Sequence, residues 1–427
     1  MAGGGLQAVT DALLHPAIFL PAIVYLVGGT YTEMATFLVA SVVAWSAMPL
    51  VITLVRGITP SLRPVTWLAL VIRLLAVGTI GWVGLNINDL SANRIVELLI
   101  SAWIVYQASS ALTAQSGAPA ALNLLARGGR LRYLRWRHLL VAVVTLGAGW
   151  LTFRLFSGDT SLATDLRGLL VLAALGTAGA SWFAALMLFG RTSISPRLDG
   201  SSLMQGMRST VGNAAIRRLM AYRMVLASVA AFDPFLIAFG FSRIGVDIYL
   251  IGVAMAAWAV GQVAGSWLWP AVVSRLGSRI VFQLAALCRL ALLVWIVALP
   301  SIVVTEAFTD RFAEPRDAWL AFGLGFVLLG LATSAGSAAG SAYLMRISST
   351  ANLPAATLVT NLGAVIGGLL PLAVAWSLDR YDIERVFWVG IGLGVAALLA
   401  SGLLMNAGSR IRNPRGAWRR SSQTRTA

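Results

Sequence analysis

Twelve apolar stretches, each of about twenty residues, follow one another along this 427-residue chain and leave it few ways to fold. They cover residues 10–30, 33–55, 65–86, 95–117, 138–156, 168–189, 220–241, 248–272, 280–303, 318–343, 356–377 and 386–406, numbered here as segments one to twelve. A helix of ~20 residues rises ~30 Å, the depth of a bilayer's hydrocarbon core. The spacing predicts an all-α polytopic membrane protein with twelve transmembrane helices. Composition agrees, with 58% hydrophobic and 11% charged residues and a mean hydropathy of +0.82.

The chain also repeats itself. Arg63 and Arg73 lie ten residues apart at the head of segment three, and Arg279 and Arg289 lie ten apart at the head of segment nine. The offset is 216 residues, about half the chain. Trp45 and Trp258, His15-Pro16 and Asp233-Pro234, and Arg167 and Arg385 keep nearly the same offset. The repeat divides the chain into an N-terminal six-helix bundle (1–190), a cytoplasmic linker (191–219), a C-terminal six-helix bundle (220–407) and a basic disordered tail (408–427). In a duplicated membrane protein the working site lies between the halves. Residues 202–223, SLMQGMRSTVGNAAIRRLMAYR, read as one interfacial helix joining them, with Leu203, Met207, Val211 and Ala215 on a single face.

Arginine sets the orientation. All 32 basic residues are Arg, and they crowd alternate connections: Arg56 and Arg63; Arg127, Arg130, Arg132, Arg135 and Arg137; Arg275 and Arg279; and the tail. The opposite connections hold Glu33, Asp89, Glu97, Asp247, Glu306, Asp310 and Asp379. By the positive-inside rule both termini are cytoplasmic, in the inner membrane of a bacterium. No cleavable leader is evident, so segment one is expected to stay as a span. The net charge of +16 is read as topology and contact with anionic lipid, not as nucleic-acid binding. One Cys and two His speak against a disulfide framework and against a protein-held zinc or haem. No cofactor is expected.

After segment eight, GSWLWPAVVSRLGSRIV places Gly265, Arg275, Gly277 and Arg279 at the spacing of a loop signature, and VRGITPSLRPV keeps Arg63 at the equivalent point of the first half. With the six-plus-six segments, both ends inside and the central loop, the chain resembles the major facilitator superfamily. AAFDPFLIAFG in segment seven is similar to a bacterial group within it. The resemblance implies two pseudo-symmetric bundles and a gating loop at Gly265, Arg275, Gly277, Arg279 and Arg63. The acid that this signature normally carries is Ser274 here, so the helix latch it implies is missing.

Charges in hydrocarbon cost ~2.5–3.5 kcal/mol each and need a partner or a wet cavity. Arg73, Arg289 and Asp233 lie well inside segments. Asp233 is the candidate for proton coupling or for holding a cationic group, with an Arg beside it, and a structural ion pair is the competing reading. Pro16 and Pro234 are expected to kink segments one and seven at matching places. His15, read as lying nearer the cytoplasmic end, is a candidate proton relay. Gln107 and Gln262 sit near mid-depth, where they bond either a ligand or a neighbouring helix. Trp45 and Trp258 either stack on a ligand or pack between helices. The small-residue runs at 336–340 and 363–367 predict close helix approaches.

These features point to a secondary transporter: a monomer moving an unidentified small molecule by alternating access. Proton coupling and export of an amphipathic compound are options the residues leave open. No P-loop occurs in the sequence. A non-transporting scaffold or sensor on the same fold is the alternative. A membrane-embedded transferase is a weaker one, since only the mixed-sign loop 306–317 offers acids for it.

Overall fold

The computed structural model describes residues 10–58, 62–123, 127–158, 161–189, 200–245, 247–310, 315–348 and 353–404. The tail and the first part of the linker, 191–199, lie outside them. The described residues are helical almost throughout and contain no strand. Ten helices are long and apolar enough to cross a membrane, and a shorter apolar stretch, Val143–Phe156, falls in segment five. Segments two to six form Tyr31–Ile58, Arg63–Leu85, Ala92–Asn123, Arg127–Phe156 and Leu162–Phe189; segments eight to ten form Leu250–Leu276, Ser278–Val303 and Pro315–Ile347. Segment eleven is Leu353–Gly368 and Leu370–Leu378, interrupted at Leu369 ahead of Pro371, and segment twelve is Ile383–Gly402.

Proline interrupts segments one and seven at the matching points, as expected. In segment one, helix 10–13 gives way at His15-Pro16, and a new helix, Phe19–Leu26, begins after it. The freed backbone is satisfied locally, because the His15 carbonyl accepts from the amides of Ile18, Phe19 and Leu20. In segment seven, Ala214–Ala230 gives way to a 3₁₀ turn at Asp233–Phe235, a short helix, a π-turn at Gly240–Ile244 and Gly245 at φ +67°. A proline lacks the N–H that would continue the ladder, so each helix re-forms only after a turn.

Residues 202–223, expected as a single helix, are divided between two. Gly200–Gly212 ends at Asn213, whose side chain accepts from the Ala215 amide and caps a new helix. Segment seven thus begins at Ala214, six residues before the boundary expected from hydropathy. An Asn that can satisfy a free helical N–H is a strong start signal.

The two halves repeat one packing plan. Segment three packs on four and six as nine packs on ten and twelve, and segment two packs on four as eight packs on ten. A Trp ties each of the last two pairs: Trp103 Nε1 donates to the Phe37 carbonyl and Trp269 Nε1 to the Leu331 carbonyl, both at 2.9 Å. Between the halves, segment two meets eleven and segment five meets eight.

That junction is tight at the acid-rich end. A Cβ on Gly149 would lie 2.8 Å from the Ala256 amide nitrogen, one on Gly252 would overlap the Phe153 backbone, and Gly368 faces Val42. Ring pairs Tyr25–Phe241, Tyr31–Phe235 and Phe153–Tyr249 add cross-half contacts there. One apolar core runs through both halves at this level. Towards the Arg-rich end the described cores separate, one around Tyr222, Phe282 and Tyr343 in the C-terminal half and one around Met48, Ile52 and Ala111 in the N-terminal half. Among the described residues, the core shared by both halves lies at the acid-rich end.

Gly252→Val drives a branched side chain into the segment-five backbone and should cost about 1–3 kcal/mol by overpacking. Gly392→Val, where nothing stands within 4 Å, should leave melting nearly unchanged. Thermal unfolding of the detergent-solubilised protein compares the two, and equal losses would contradict the close approach.

Candidate functional site

The sequence candidates fall into three groups, from the acid-rich end to mid-depth. The first is a buried ion pair. Arg289, eleven residues into its helix and about 16 Å from the Arg-rich end, donates through Nη1 to Asp233 Oδ1. Both side chains are 8% exposed. The 3₁₀ turn at Asp233-Pro234 sets the carboxylate at the break in segment seven, so the irregular backbone and the charge occupy the same place. At that burial the pair holds only while both partners are present, since either ion alone would be uncompensated.

The second group is the N-terminal counterpart, and its chemistry differs. Arg73 is 5% exposed and lies 5.6 Å from the centre of the Tyr106 ring. Its Nε and Nη2 are shielded and have no hydrogen-bond partner among the described residues. The Tyr106 hydroxyl donates to Asp11 at 3.0 Å. The repeat position of Asp233 is His15, and His15 does not complete an ion pair. Its ring meets Trp258 of the other half edge-on at 4.4 Å. Trp258 is eight residues from the start of its helix, about 12 Å from the acid-rich end. His15 therefore lies in the acid-rich half, not nearer the Arg-rich end as expected. The cause is the depth of segment one: Thr10 already bonds the Ala173 carbonyl and receives the Thr177 hydroxyl at mid-depth.

The third group is helix-to-helix. Trp45 Nε1 donates to Gln107 Oε1 at 2.9 Å, tying segments two and four, and Gln262 Nε2 donates to Thr333 Oγ1 at 2.7 Å, tying eight and ten. For both glutamines this geometry is the neighbouring-helix alternative. Two apolar clefts of about 230 and 430 Å³, with exposed Trp150, Leu320 and Val389 among their walls, contain none of these residues.

Similarity to solved structures is extensive. The chain aligns over 95% of its length, and 99% of the other's, with a point mutant of the nucleoside transporter NupG, at TM-score 0.66 and 13% identity. It aligns with a POT family transporter in complex with 5-aminolevulinic acid at TM-score 0.68 and 12% identity, over 94% of both chains. A bacterial homologue of the iron transporter ferroportin in its inward-facing state gives 0.64 at 12% identity, over 93% of this chain and 96% of that one. Its outward-facing structures give 0.60 and 0.58. The chain has the major facilitator fold. No protein-family profile and no curated protein matches it.

The residues of the loop signature divide their work. Gly277, at φ +91°, makes the turn between segments eight and nine, a conformation in which a Cβ is strained. Gly265 packs against Ser334 and Trp269 of the segment eight–ten contact. Arg279 Nη2 donates to the Gly402 carbonyl at 2.5 Å, at the end of the last helix, where a cation complements the helix dipole. Arg275 is exposed and Arg63 half-buried at the helix ends. Ser274, in place of the acid, bonds only locally, to the Ala271 carbonyl at 2.9 Å.

Sequence reasoning missed Arg223. Its Nη1 donates to Asn361 Oδ1 at 3.1 Å and to Thr360 Oγ1 at 3.5 Å, both on segment eleven. Its Nη2 lies 2.7 Å from where a Cβ on Gly340 of segment ten would stand. Starting segment seven at 220 put Arg223 at the edge of the segment; the helix start at Ala214 puts it about 14 Å along the helix, beyond the exposed Arg217 and Arg218. The Asn213 cap was the signal that would have found it. Asp11 was missed because the start of segment one packs deeper than its place in the sequence suggests.

Removing one partner of the pair, by Asp233→Ala or Arg289→Ala, should destabilise the fold by about 3–5 kcal/mol, and D233L combined with R289M should recover most of it. Melting curves of the three variants test this. A double variant no better than the singles would show that the pair does more than neutralise itself.

Proposed function

We propose that this chain is a secondary transporter that carries a small molecule across the bacterial cytoplasmic membrane by alternating access. The observation that carries the reading is the apolar core, which among the described residues is continuous through both halves at the acid-rich end and divided towards the other. With the Arg-rich side cytoplasmic, as charge asymmetry argues, this is an inward-facing state. Asp11 supports it. It is exposed, yet its partner Tyr106 lies fourteen residues into a helix that starts at the acid-rich end, about 21 Å down. An exposed carboxylate at that depth belongs to a wet vestibule open to the Arg-rich side.

In this reading the proline breaks of segments one and seven are the flexible points, and the Asp233–Arg289 pair is the coupling element. A proton on Asp233 releases Arg289 and frees the break to rearrange. The basic helix ends rest on anionic lipid. The structural neighbours include a nucleoside transporter, a homologue of an iron transporter and a POT family transporter in complex with a thioalcohol-conjugated peptide, so the fold does not choose the cargo. The few buried charges favour an amphipathic compound, and export is one direction this reading allows.

The reading can be tested without knowing the cargo. In a Cys288→Ser background, spin labels at Ser157 and Asp247 report the acid-rich end, and labels at Leu54 and Arg346 the other. Acidification should move the two distances in opposite senses in reconstituted protein. Asp233→Asn should abolish the pH response. Fixed, single distances under all conditions would overturn alternating access; a pH response that survives Asp233→Asn would overturn the coupling role alone.

A further inference from the structure

The structure assigns a second task to segment seven: we propose that the Arg223 guanidinium, framed by Asn361, Thr360 and Gly340, binds the carboxylate of an organic monoanion entering from the Arg-rich side. The inference deepens the transport reading and rests on it for direction of entry, but the site stands on its own geometry.

Arg223 lies about 14 Å along its helix, beyond the exposed Arg217 and Arg218, on a stretch long and apolar enough to cross a membrane. No carboxylate pairs with it among the described residues. Its partners are neutral oxygens on segment eleven, and both engage Nη1. A guanidinium has five N–H donors in a fixed fork, so among the described residues the Nε–Nη2 edge is left without an acceptor. That edge presents two parallel N–H bonds, the arrangement that receives a carboxylate through both oxygens.

The surroundings hold this edge in place. Gly340 has no Cβ where Nη2 lies, and any side chain there would have to displace the guanidinium. Asn361 and Thr360 fix the other amino group, which removes much of the rotamer entropy that binding would otherwise cost. Thr360 is itself buried and anchored to the Ala356 carbonyl at 2.9 Å.

Arg73 supplies the contrast. It has the same unpaired edge, but its Nε and Nη2 are shielded from solvent. Arg223 is half-buried, and its Nε and Nη2 are not shielded as those of Arg73 are, which leaves its edge open to a solute. Arg289, the third intramembrane cation, is already neutralised by Asp233. Of the three, Arg223 alone is unneutralised and accessible.

One guanidinium neutralises one negative charge. A carboxylate leaves the site neutral, whereas a phosphate dianion would carry surplus charge into the low-dielectric interior.

The test uses purified full-length protein and benzoate as the probe, with benzyl alcohol and inorganic phosphate as comparison arms at constant ionic strength. Benzoate should raise the melting temperature of the wild type with a saturable dose response, and neither comparison solute should. The apparent Kd should weaken about tenfold or more in Arg223→Gln and less in Arg223→Lys, which keeps the charge but not the fork. Gly340→Ala, which displaces the guanidinium and leaves its charge, should also weaken binding, and it serves if Arg223→Gln fails to fold. No benzoate response, or an equal response in the folded variants, would overturn the site. A stronger response to phosphate would overturn the carboxylate assignment in favour of a phosphate or lipid headgroup. Binding without opposed movement of the spin-label distances would retain this site while sinking transport.

Discussion

Hydrocarbon offers no hydrogen bonds to a peptide chain, and nearly everything else in this structure follows from that. Every segment that crosses must close its own backbone ladder, so helices are obligatory, and any interruption has to be satisfied on the spot. The His15 carbonyl, accepting from three amides, does this in segment one. The 3₁₀ and π turns after Ala230 do it in segment seven. Once the helices are made, apolar burial no longer drives them together as it would in water, and close backbone approach takes over. Gly149 of segment five against segment eight, Gly252 of segment eight against segment five, and Gly363 and Gly367 against the Met220 and Met224 carbonyls are where that happens.

The halves share a plan and divide the chemistry. Their segments pack in the same pairs, yet repeat-related residues do different things. Arg289 has Asp233; Arg73 has only the face of Tyr106. Trp45 donates to Gln107, whereas Trp258 packs on His15 and its indole N–H has no partner among the described residues. Duplication preserved the packing, which tolerates little change in helix spacing. It left the polar positions free to diverge, because each needs only a local partner.

Much of the candidate site was legible, and what was not has a simple cause. Asp233, Arg73 and Arg289 stand out because charge is costly in an apolar run. The kinks at Pro16 and Pro234 were readable because proline cannot donate to the ladder. Arg223 and Asp11 were hidden near segment ends: the helix of Arg223 starts further out than hydropathy suggests, and Asp11 packs against Tyr106 deep in segment four. The His15–Trp258 contact was not readable either, since it joins residues 243 apart in sequence and nothing local records it.

Hydropathy, the internal repeat and the placement of Arg determined by themselves that this is a duplicated helical membrane protein, because each depends on transfer energies that act residue by residue. Where the described residues of the two halves share a core, which cation has a counter-ion and which has an unpaired edge were decided only by tertiary structure. Those outcomes depend on distances between segments far apart in the chain, set by how closely their backbones can approach.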